Sequence, residues 1–171
     1  MTPTLYLRMA IEPALRLLPA VMESAEARAM MLAVALQETR LLHRRQVPSG
    51  IAHGYAQFEA GPQAAIAGIL QHSATSLKAI ALCQALDIRP TVIGVYDAIE
   101  FNDVLCAGFS RLLLWTLPSA LPGPQETTNG WNQYLMAWRP GRPHRDTWDS
   151  NYAAAWNTVL QGRPLPSVER V

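Results

Sequence analysis

Helical patterning extends through almost the whole chain, and prolines and glycines divide it into segments. One segment, SAEARAMMLAVALQETRLLH at residues 24–43, contains neither residue and is rich in Ala, Leu and Met, which are strong helix formers. Ser24 is of the residue type that caps helix N-termini. We therefore predict a helix from Ser24 to about His43 and, from its dominance, an α-rich fold.

The remaining segments are shorter but follow the same pattern. An N-terminal helical segment is expected to break near Pro13 and Pro19, and the last helix is expected to start at Asp146 and end at Gly162. Apolar spacing predicts further helices within residues 61–73, 75–88, 103–117 and 131–138, and predicts loops at 46–54 and 118–130. Residues 91–100, TVIGVYDAIE, fit a strand as well as a helix.

These segments together predict an all-α or α-dominated domain with at most a very small β element, around residues 47–60. A chain of 171 residues falls in the size range of one domain with one substantial core, so we expect a single domain over residues 1–171. The Pro-containing tail from about residue 162 is predicted to be loosely ordered.

Charge composition argues against a dedicated nucleic-acid binder. The net charge is +1, and thirteen Arg and one Lys, Lys78, are scattered among the acidic residues, so no long basic face is expected. Basic residues are dense only at residues 43–45 and 139–145. Either short cluster is interpreted as a local contact for an anion or a partner protein.

Cysteine and histidine spacing gives no indication of a metal site or another cofactor. Cys83 and Cys106 lack a CxxC or Cys/His pattern and are predicted to be reduced, buried thiols. His43, His53 and His72 are not spaced as ligands.

No membrane span or signal peptide is predicted. No run approaches the roughly 18 uninterrupted apolar residues of a membrane-spanning helix. The apolar N-terminus is interrupted by Glu12 and Pro13 and lacks a preceding positive region. We therefore expect the protein to be made and folded in a cytoplasm.

Glu38 occupies an unusual position for a carboxylate. Helical steps back from it reach Ala35, Val34 and Met31, so it continues an apolar stripe near the end of its helix. Burial and the negative end of the helix dipole both raise the pKa of a carboxyl group, which suits a general acid in glycoside cleavage. The alternative is a Glu38 that is solvated or paired with a neighbouring Arg at 40, 44 or 45.

The segment HGYAQFE, residues 53–59, follows Glu38 by about one loop. Gly54 permits a close backbone approach, Tyr55 or Phe58 can offer a ring to a sugar face, and Gln57 offers a donor and an acceptor to hydroxyl or acetamido groups.

This order of residues resembles the lysozyme-like superfamily, in particular the soluble lytic transglycosylases. In that family a Glu-Ser pair ends a helix and a Gly-Leu-Met-Gln type segment follows; the corresponding residues here are Glu38-Thr39 and Gly54-Tyr55-Ala56-Gln57. CAGFSRLLLW and YLMAWRPGRP, at residues 106–115 and 134–143, are similar to later parts of the family pattern. Thr39 replaces Ser, Tyr55-Ala56 replaces Leu-Met, and the family's late Tyr-Asn pair is not preserved.

The resemblance implies a mechanism with one carboxylate. Glu38 would protonate the glycosidic oxygen between N-acetylmuramic acid and N-acetylglucosamine, and would then act as base toward the muramyl C6 hydroxyl to give a 1,6-anhydro product. The candidate substrate contacts are Thr39, Tyr55, Gln57, Glu59 and Tyr134, although Tyr134 could instead bond Glu38 or pack in the core. Glu59 is the nearest candidate for the second carboxylate that hydrolysis requires, and its alternative role is an exposed surface charge.

Within that resemblance, the chain looks similar to bacteriophage virion-associated muralytic proteins, which the absence of a predicted signal peptide fits. The expected partners are then peptidoglycan glycan strands and other virion proteins. The protein would reside in the virion, or in the host cytoplasm before assembly or lysis, with its substrate in the periplasm or cell wall. The alternatives are a virion structural protein that keeps a lysozyme-like fold without catalysis, which five Trp and low charge would suit, and an unrelated all-α interaction domain that holds Glu38 far from Gln57.

Overall fold

A computed structural model describes residues 1–162 of the protein. Residues 163–171, which hold most of the predicted loosely ordered tail, lie outside the described residues. The described chain is mainly helical, with one small hairpin, as predicted. Its elements are α1 (Pro3–Tyr6), a π-helical stretch (Leu7–Ile11), α2 (Glu12–Leu17), a 3-10 turn (Ala20–Met22), α3 (Ala25–Thr39), β1 (Ala52–His53), β2 (Phe58–Glu59), α4 (Ala65–Gln71), α5 (Ser76–Ala85), α6 (Val92–Ile99), α7 (Asp103–Trp115), α8 (Thr127–Trp138) and α9 (Arg145–Gln161).

Helix α3 lies in the centre of the core. Ser24 caps it as predicted, because its hydroxyl oxygen accepts a hydrogen bond from the Ala27 backbone N–H at 3.0 Å. The residues from Ala29 to Leu36 are all buried, so the apolar surface surrounds the helix instead of forming one stripe. Helix α9 packs along α3, and α7 and the N-terminal π-helical stretch also contact it.

Helix α3 ends at Thr39, before the predicted end at His43. Arg40 and Leu41 follow with φ angles of 51° and 58°, in the left-handed region. This reversal buries Leu41 completely. The free energy gained by burying a Leu side chain is larger than the helix propensity that is lost by ending the helix here. The shortened helix leaves Glu38 in its last turn.

The N-terminal helical segment does not break at Pro13, contrary to the prediction. Pro13 has no N–H to donate within the helix. The chain nevertheless stays helical, because the π-helical stretch Leu7–Ile11 leads directly into α2, and Pro13 lies in the first turn of α2. The second predicted break is present. Leu18, which precedes Pro19, is extended at φ −101° and ψ 161°, as expected of a residue before proline.

Three other elements differ from the sequence-based prediction or decide between alternatives that it left open. Residues 92–99 form helix α6 and not a strand, and the Thr91 hydroxyl caps it by accepting from the Gly94 N–H at 3.1 Å. Helix α8 begins at Thr127, inside the predicted loop. Helix α9 begins at Arg145, so Asp146 lies in its first turn and does not cap it.

The predicted β element is an antiparallel hairpin in which Ala52 pairs with Glu59 and His53 with Phe58. Arg45 forms an isolated bridge to His53 on the outer side of β1. The two cysteines are free and buried, as predicted, in the helical core.

Candidate functional site

A cleft of about 960 Å³ opens between the ends of two helices and the hairpin. Its helical wall is formed by the C-terminal ends of α3 and α8, which contribute Glu38 and Trp138. Its hairpin wall, residues 52–59, contributes Gln57 and Glu59. The cleft therefore brings together Glu38 and Gln57, which an unrelated domain was expected to keep apart.

Glu38 is half-buried on the helical wall and bonded by Tyr134 of α8. The Tyr134 hydroxyl donates a hydrogen bond to Glu38 Oε1 at 2.7 Å. No ion pair between Glu38 and an arginine is present among residues 1–162; Arg44 pairs with Asp103 and Arg45 with Glu100 instead. The alternative arrangement, a Glu38 neutralised by a neighbouring Arg, is therefore not the one adopted.

An aromatic layer fixes the position of Tyr134. Its ring is stacked on Trp148 at a centroid distance of 5.2 Å and on Trp138 at 6.2 Å, and it contacts Trp131 at 5.3 Å. Tyr134 and Trp148 are buried. The spacing of Trp131, Tyr134 and Trp138 along α8 thus serves core packing and also directs one hydroxyl group at Glu38.

This environment changes the proton affinity of Glu38. Burial raises the pKa of the Glu38 carboxyl from 4.5 to about 7; the hydrogen bond from Tyr134 opposes the rise, and the negative charge of Glu59 adds to it. Burial also raises the pKa of the Tyr134 hydroxyl well above its ordinary value, so that it remains a donor. Glu38 therefore stays largely protonated between about pH 4.5 and pH 7, where most carboxylates are ionised.

The turn between the two strands, Gly54 to Gln57, is held against both helix ends. The Thr39 hydroxyl lies 3.1 Å from the Tyr55 carbonyl oxygen. On the other side, Trp138 Nε1 donates to the Ala56 carbonyl oxygen at 2.9 Å. These contacts fix the hairpin wall relative to Glu38.

Gly54 is required at the start of this turn. Its φ is +71°, and a Cβ atom there would lie 2.6 Å from Ile99 Cγ2 and 2.7 Å from Cys106 Sγ. Only glycine satisfies both the left-handed backbone and this close approach to α6 and α7. The φ angle and the close approach both agree with the backbone freedom that the sequence predicts for Gly54.

Gln57 and Glu59, two of the predicted substrate contacts, line the cleft. Gln57 has a φ of 53° and donates from Nε2 to the Gly54 carbonyl oxygen at 2.9 Å, which fixes its amide group. Its amide oxygen accepts no hydrogen bond from residues 1–162 and can accept one from a ligand. Glu59 is exposed on β2.

Two predicted substrate contacts have other surroundings. Tyr55 is buried in the core, against Tyr6 at a centroid distance of 5.4 Å, and the Arg44 guanidinium covers its ring at 4.7 Å. It does not line the cleft, so the prediction that Tyr55 contacts substrate is wrong, because the turn directs this ring inward. Thr39 lines the cleft, but its hydroxyl is used for the backbone of α3 and of the turn.

Two residues of this region were not identified from the sequence as site residues. Gln37, next to Glu38, donates from Nε2 to the His144 carbonyl oxygen at 2.8 Å, across 107 positions of sequence. Trp138 donates from Nε1 to the Ala56 carbonyl oxygen of the hairpin turn, 82 positions away. No local pattern marks either contact, since each partner is a backbone carbonyl far away along the chain.

Residues 1–162 contain no group of three or more His, Cys, Asp or Glu side chains arranged to hold a metal ion. Over the same residues, none of the helices combines the length and apolar character needed to cross a membrane.

Comparisons of the chain with protein-family models, with curated proteins and with solved structures gave no match.

Proposed function

We propose that the protein is a peptidoglycan-cleaving lytic transglycosylase of the lysozyme-like superfamily, with Glu38 as general acid and then base. The observation that supports the proposal is the Glu38–Tyr134 pair on the wall of an open cleft that Gln57 also lines. A carboxyl with a pKa of about 7 can be protonated near neutral pH and can donate that proton to a leaving oxygen.

The proposed reaction proceeds without a second carboxylate. Glu38 donates its proton to the oxygen between N-acetylmuramic acid and N-acetylglucosamine, and the C1–O bond of the muramyl residue breaks. Glu38, now ionised, takes the proton of the muramyl C6 hydroxyl, whose oxygen forms the new bond to C1. The products are a 1,6-anhydromuramyl end and a free N-acetylglucosamine end, and no water is consumed.

The Tyr134 hydroxyl supports both states of Glu38, because it can donate to a neutral or an ionised carboxyl oxygen. Its donation to the ionised form is stronger, as charge-assisted hydrogen bonds are, and therefore favours release of the proton to substrate. The fixed amide of Gln57 provides an acceptor for a sugar hydroxyl or acetamido N–H on the opposite side of the cleft.

The biological setting proposed for this activity is penetration of the bacterial cell wall by a bacteriophage. The protein would be carried in the virion beside other virion proteins, or would be held in the host cytoplasm before assembly or lysis. This setting follows from the sequence resemblance, and the cleft chemistry is compatible with it.

The test is digestion of purified peptidoglycan by wild type, Glu38→Gln and Glu59→Gln, followed by mass spectrometry of the products. The proposal predicts anhydro-muropeptides from wild type and from Glu59→Gln. It predicts a loss of roughly a thousand-fold in rate for Glu38→Gln, within the range of general acid catalysis.

Other outcomes would identify different functions. Reducing-end products that disappear in both variants would indicate a hydrolase that uses Glu59 as its second carboxylate. No product from folded wild type would contradict the enzyme proposal and favour a virion structural role.

A further inference from the structure

The two basic clusters of the sequence, which are almost a hundred residues apart, meet at the same cleft. His43 and Arg45 line it after α3, and three further basic residues line it from the connection between α8 and α9. These three are Arg139, Arg142 and His144. The only carboxylates that line the cleft within residues 1–162 are Glu38 and Glu59. A ligand of this cleft therefore meets more basic than acidic side chains.

The α8–α9 connection, residues 139–144, is fixed at both ends. At its start, Trp138 Nε1 donates to the Ala56 carbonyl oxygen at 2.9 Å. At its end, the His144 carbonyl oxygen accepts from Gln37 Nε2 at 2.8 Å, and Gln37 Oε1 in turn accepts from Asn151 Nδ2 at 2.9 Å. Because both ends of the connection are already held in place, a ligand that binds it pays little conformational entropy for ordering the loop.

The arginines of the connection differ from those after α3. Arg44 and Arg45 form ion pairs with Asp103 and Glu100, whereas Arg139 and Arg142 form none with residues 1–162. Both side chains are exposed at the cleft. Their guanidinium groups are therefore available to an anionic ligand.

The backbone at Arg139 adds a separate observation. Its φ is 48°, in the left-handed region that glycine adopts without cost and other residues adopt only with strain. Arg40 ends α3 in the same conformation but does not line the cleft, so only at Arg139 does this backbone place a charged side chain where a ligand can meet it.

We infer that Arg139 and Arg142 form an anion-binding subsite that recognises carboxylates on the peptide substituents of the glycan strand. The inference rests on the proposed function and specifies its substrate: a peptide-bearing, anionic glycan in preference to a neutral one. The muramyl lactyl groups carry peptides with free carboxylates, and the planar guanidinium group matches a carboxylate through two parallel hydrogen bonds. A glycan built from N-acetylglucosamine alone offers no such partner.

The test measures binding by titration calorimetry in the Glu38→Gln background, so that no substrate is consumed. The ligands are a peptide-bearing glycan tetrasaccharide, the same compound with its peptide carboxylates converted to methylamides, and the N-acetylglucosamine tetramer. The carboxylate form is expected to bind roughly two- to thirty-fold tighter than the amidated form, as two exposed ion pairs provide. The preference should shrink as salt is raised.

The same titrations with Arg139→Gln/Arg142→Gln should give equal affinities for the carboxylate and amidated forms. The matched control is Arg8→Gln/Arg16→Gln, which removes the same charge from exposed positions that do not line the cleft. The control should keep the preference. Thermal unfolding of each variant verifies that it is folded.

The remaining outcomes overturn either the inference alone or the inference together with the proposed function. Equal binding of the two glycan forms by the parent protein overturns the inference and leaves the proposed function intact. A preference that persists in Arg139→Gln/Arg142→Gln also overturns the inference. Absence of binding to every glycan overturns the proposed function and the inference together.

Discussion

The two walls of the cleft present the same functional group in different environments. On the helical wall, Glu38 lies in front of a layer of stacked aromatic rings and accepts a hydrogen bond from Tyr134. On the hairpin wall, Glu59 lies exposed on a two-residue strand. Burial raises the pKa of the Glu38 carboxyl from 4.5 to about 7. The packing around Glu38, and not its residue type, therefore raises its pKa.

The walls also differ in how they are supported. The helical wall depends on large side chains contributed by α8 and α9, including Trp131 and Trp148. The hairpin wall buries Tyr55 and Phe58 in the core. It also depends on the close approach of Gly54 to α6 and α7, and on hydrogen bonds that the Thr39 and Trp138 side chains donate to its backbone carbonyls. A change on the helical wall should therefore act on the proton, whereas a change on the hairpin wall should act on folding.

The largest difference should appear between Glu38→Gln and Glu59→Gln in pH-dependent stability. The Glu38 carboxyl has a pKa near 4.5 in the unfolded chain and about 7 in the folded protein, so the folded state binds the extra proton between these values. Wild-type stability should then fall as pH rises from 4.5 through 7. Glu38→Gln removes this penalty and should be more stable than wild type above pH 7, by about 3 kcal/mol at the limit.

The measurement is urea denaturation of the three proteins between pH 4 and 9. Below pH 4.5 the advantage of Glu38→Gln should vanish, since Glu38 is then protonated in both states. Glu59→Gln should stay within about 0.5 kcal/mol of wild type, as a surface substitution does. An equal response of the two variants would mean that the walls do not differ as described.

The second prediction concerns the support of the hairpin wall. Gly54→Ala places a Cβ in the left-handed region, which costs roughly 1–2 kcal/mol. That atom also overlaps Ile99 and Cys106, which adds roughly 1–3 kcal/mol for overpacking. Its free energy of unfolding should fall by the sum of the two.

Gly50→Ala is the matched control for this change. Gly50 has the same φ of +71°, but the nearest atom to its added Cβ would be Arg45 Cδ at 3.6 Å. Only the backbone cost of roughly 1–2 kcal/mol should remain. Denaturant titration of both variants measures the difference, and similar losses would show that Gly54 is needed for its dihedral angle alone.

Tyr134→Phe tests the proton chemistry of the helical wall with little change in packing. The hydrogen bond from Tyr134 lowers the pKa of Glu38, so its removal should raise that pKa above about 7 and move the alkaline limb of the activity profile upward. Stability above pH 7 should fall by roughly 1.5–3 kcal/mol, the range for a hydrogen bond to a charged group. Rates and unfolding measured across pH check both effects, and a limb that moves to lower pH would contradict the account.

The helical wall was more accessible to sequence reasoning than the hairpin wall. The apolar residues before Glu38 predicted a dry environment for it, and the spacing of Trp131 and Tyr134 placed both on α8, because helical periodicity is a local property. Tyr55 shows the limit. A four-residue turn has no helical or strand periodicity, so the sequence does not show whether the Tyr55 ring points to the core or to the cleft. The contacts of Tyr55 with Tyr6 and Arg44, which bury its ring, come from other segments of the chain.

The ends of α3 and α8 illustrate the same limit, since nothing in the composition of either helix marks Arg40 or Arg139 as left-handed. Tertiary contacts determine both reversals. Leu41 is buried after the first, and Trp138 bonds the hairpin turn before the second. For this reason the sequence-based prediction extended α3 four residues too far, to His43.

The smallest expected effect compares these two helix ends directly, through Arg40→Gly and Arg139→Gly. Both arginines cap a helix at positive φ, 51° and 48°, so glycine should relieve roughly 1–2 kcal/mol of backbone strain in each. The greater freedom of glycine in the unfolded chain should offset roughly 0.5–1 kcal/mol of that gain. Each variant should therefore be slightly more stable than wild type in thermal unfolding.

Binding should separate the two variants, because Arg139 lines the cleft and Arg40 does not. Arg139→Gly should weaken affinity for the peptide-bearing glycan more than for its amidated form, whereas Arg40→Gly should change neither. A stabilised Arg139→Gly protein with unchanged glycan affinity would mean that the left-handed Arg139 has no role in binding. A destabilised one would mean that its side chain supports the α8–α9 connection, so that strain there is compensated within the fold and not by a ligand.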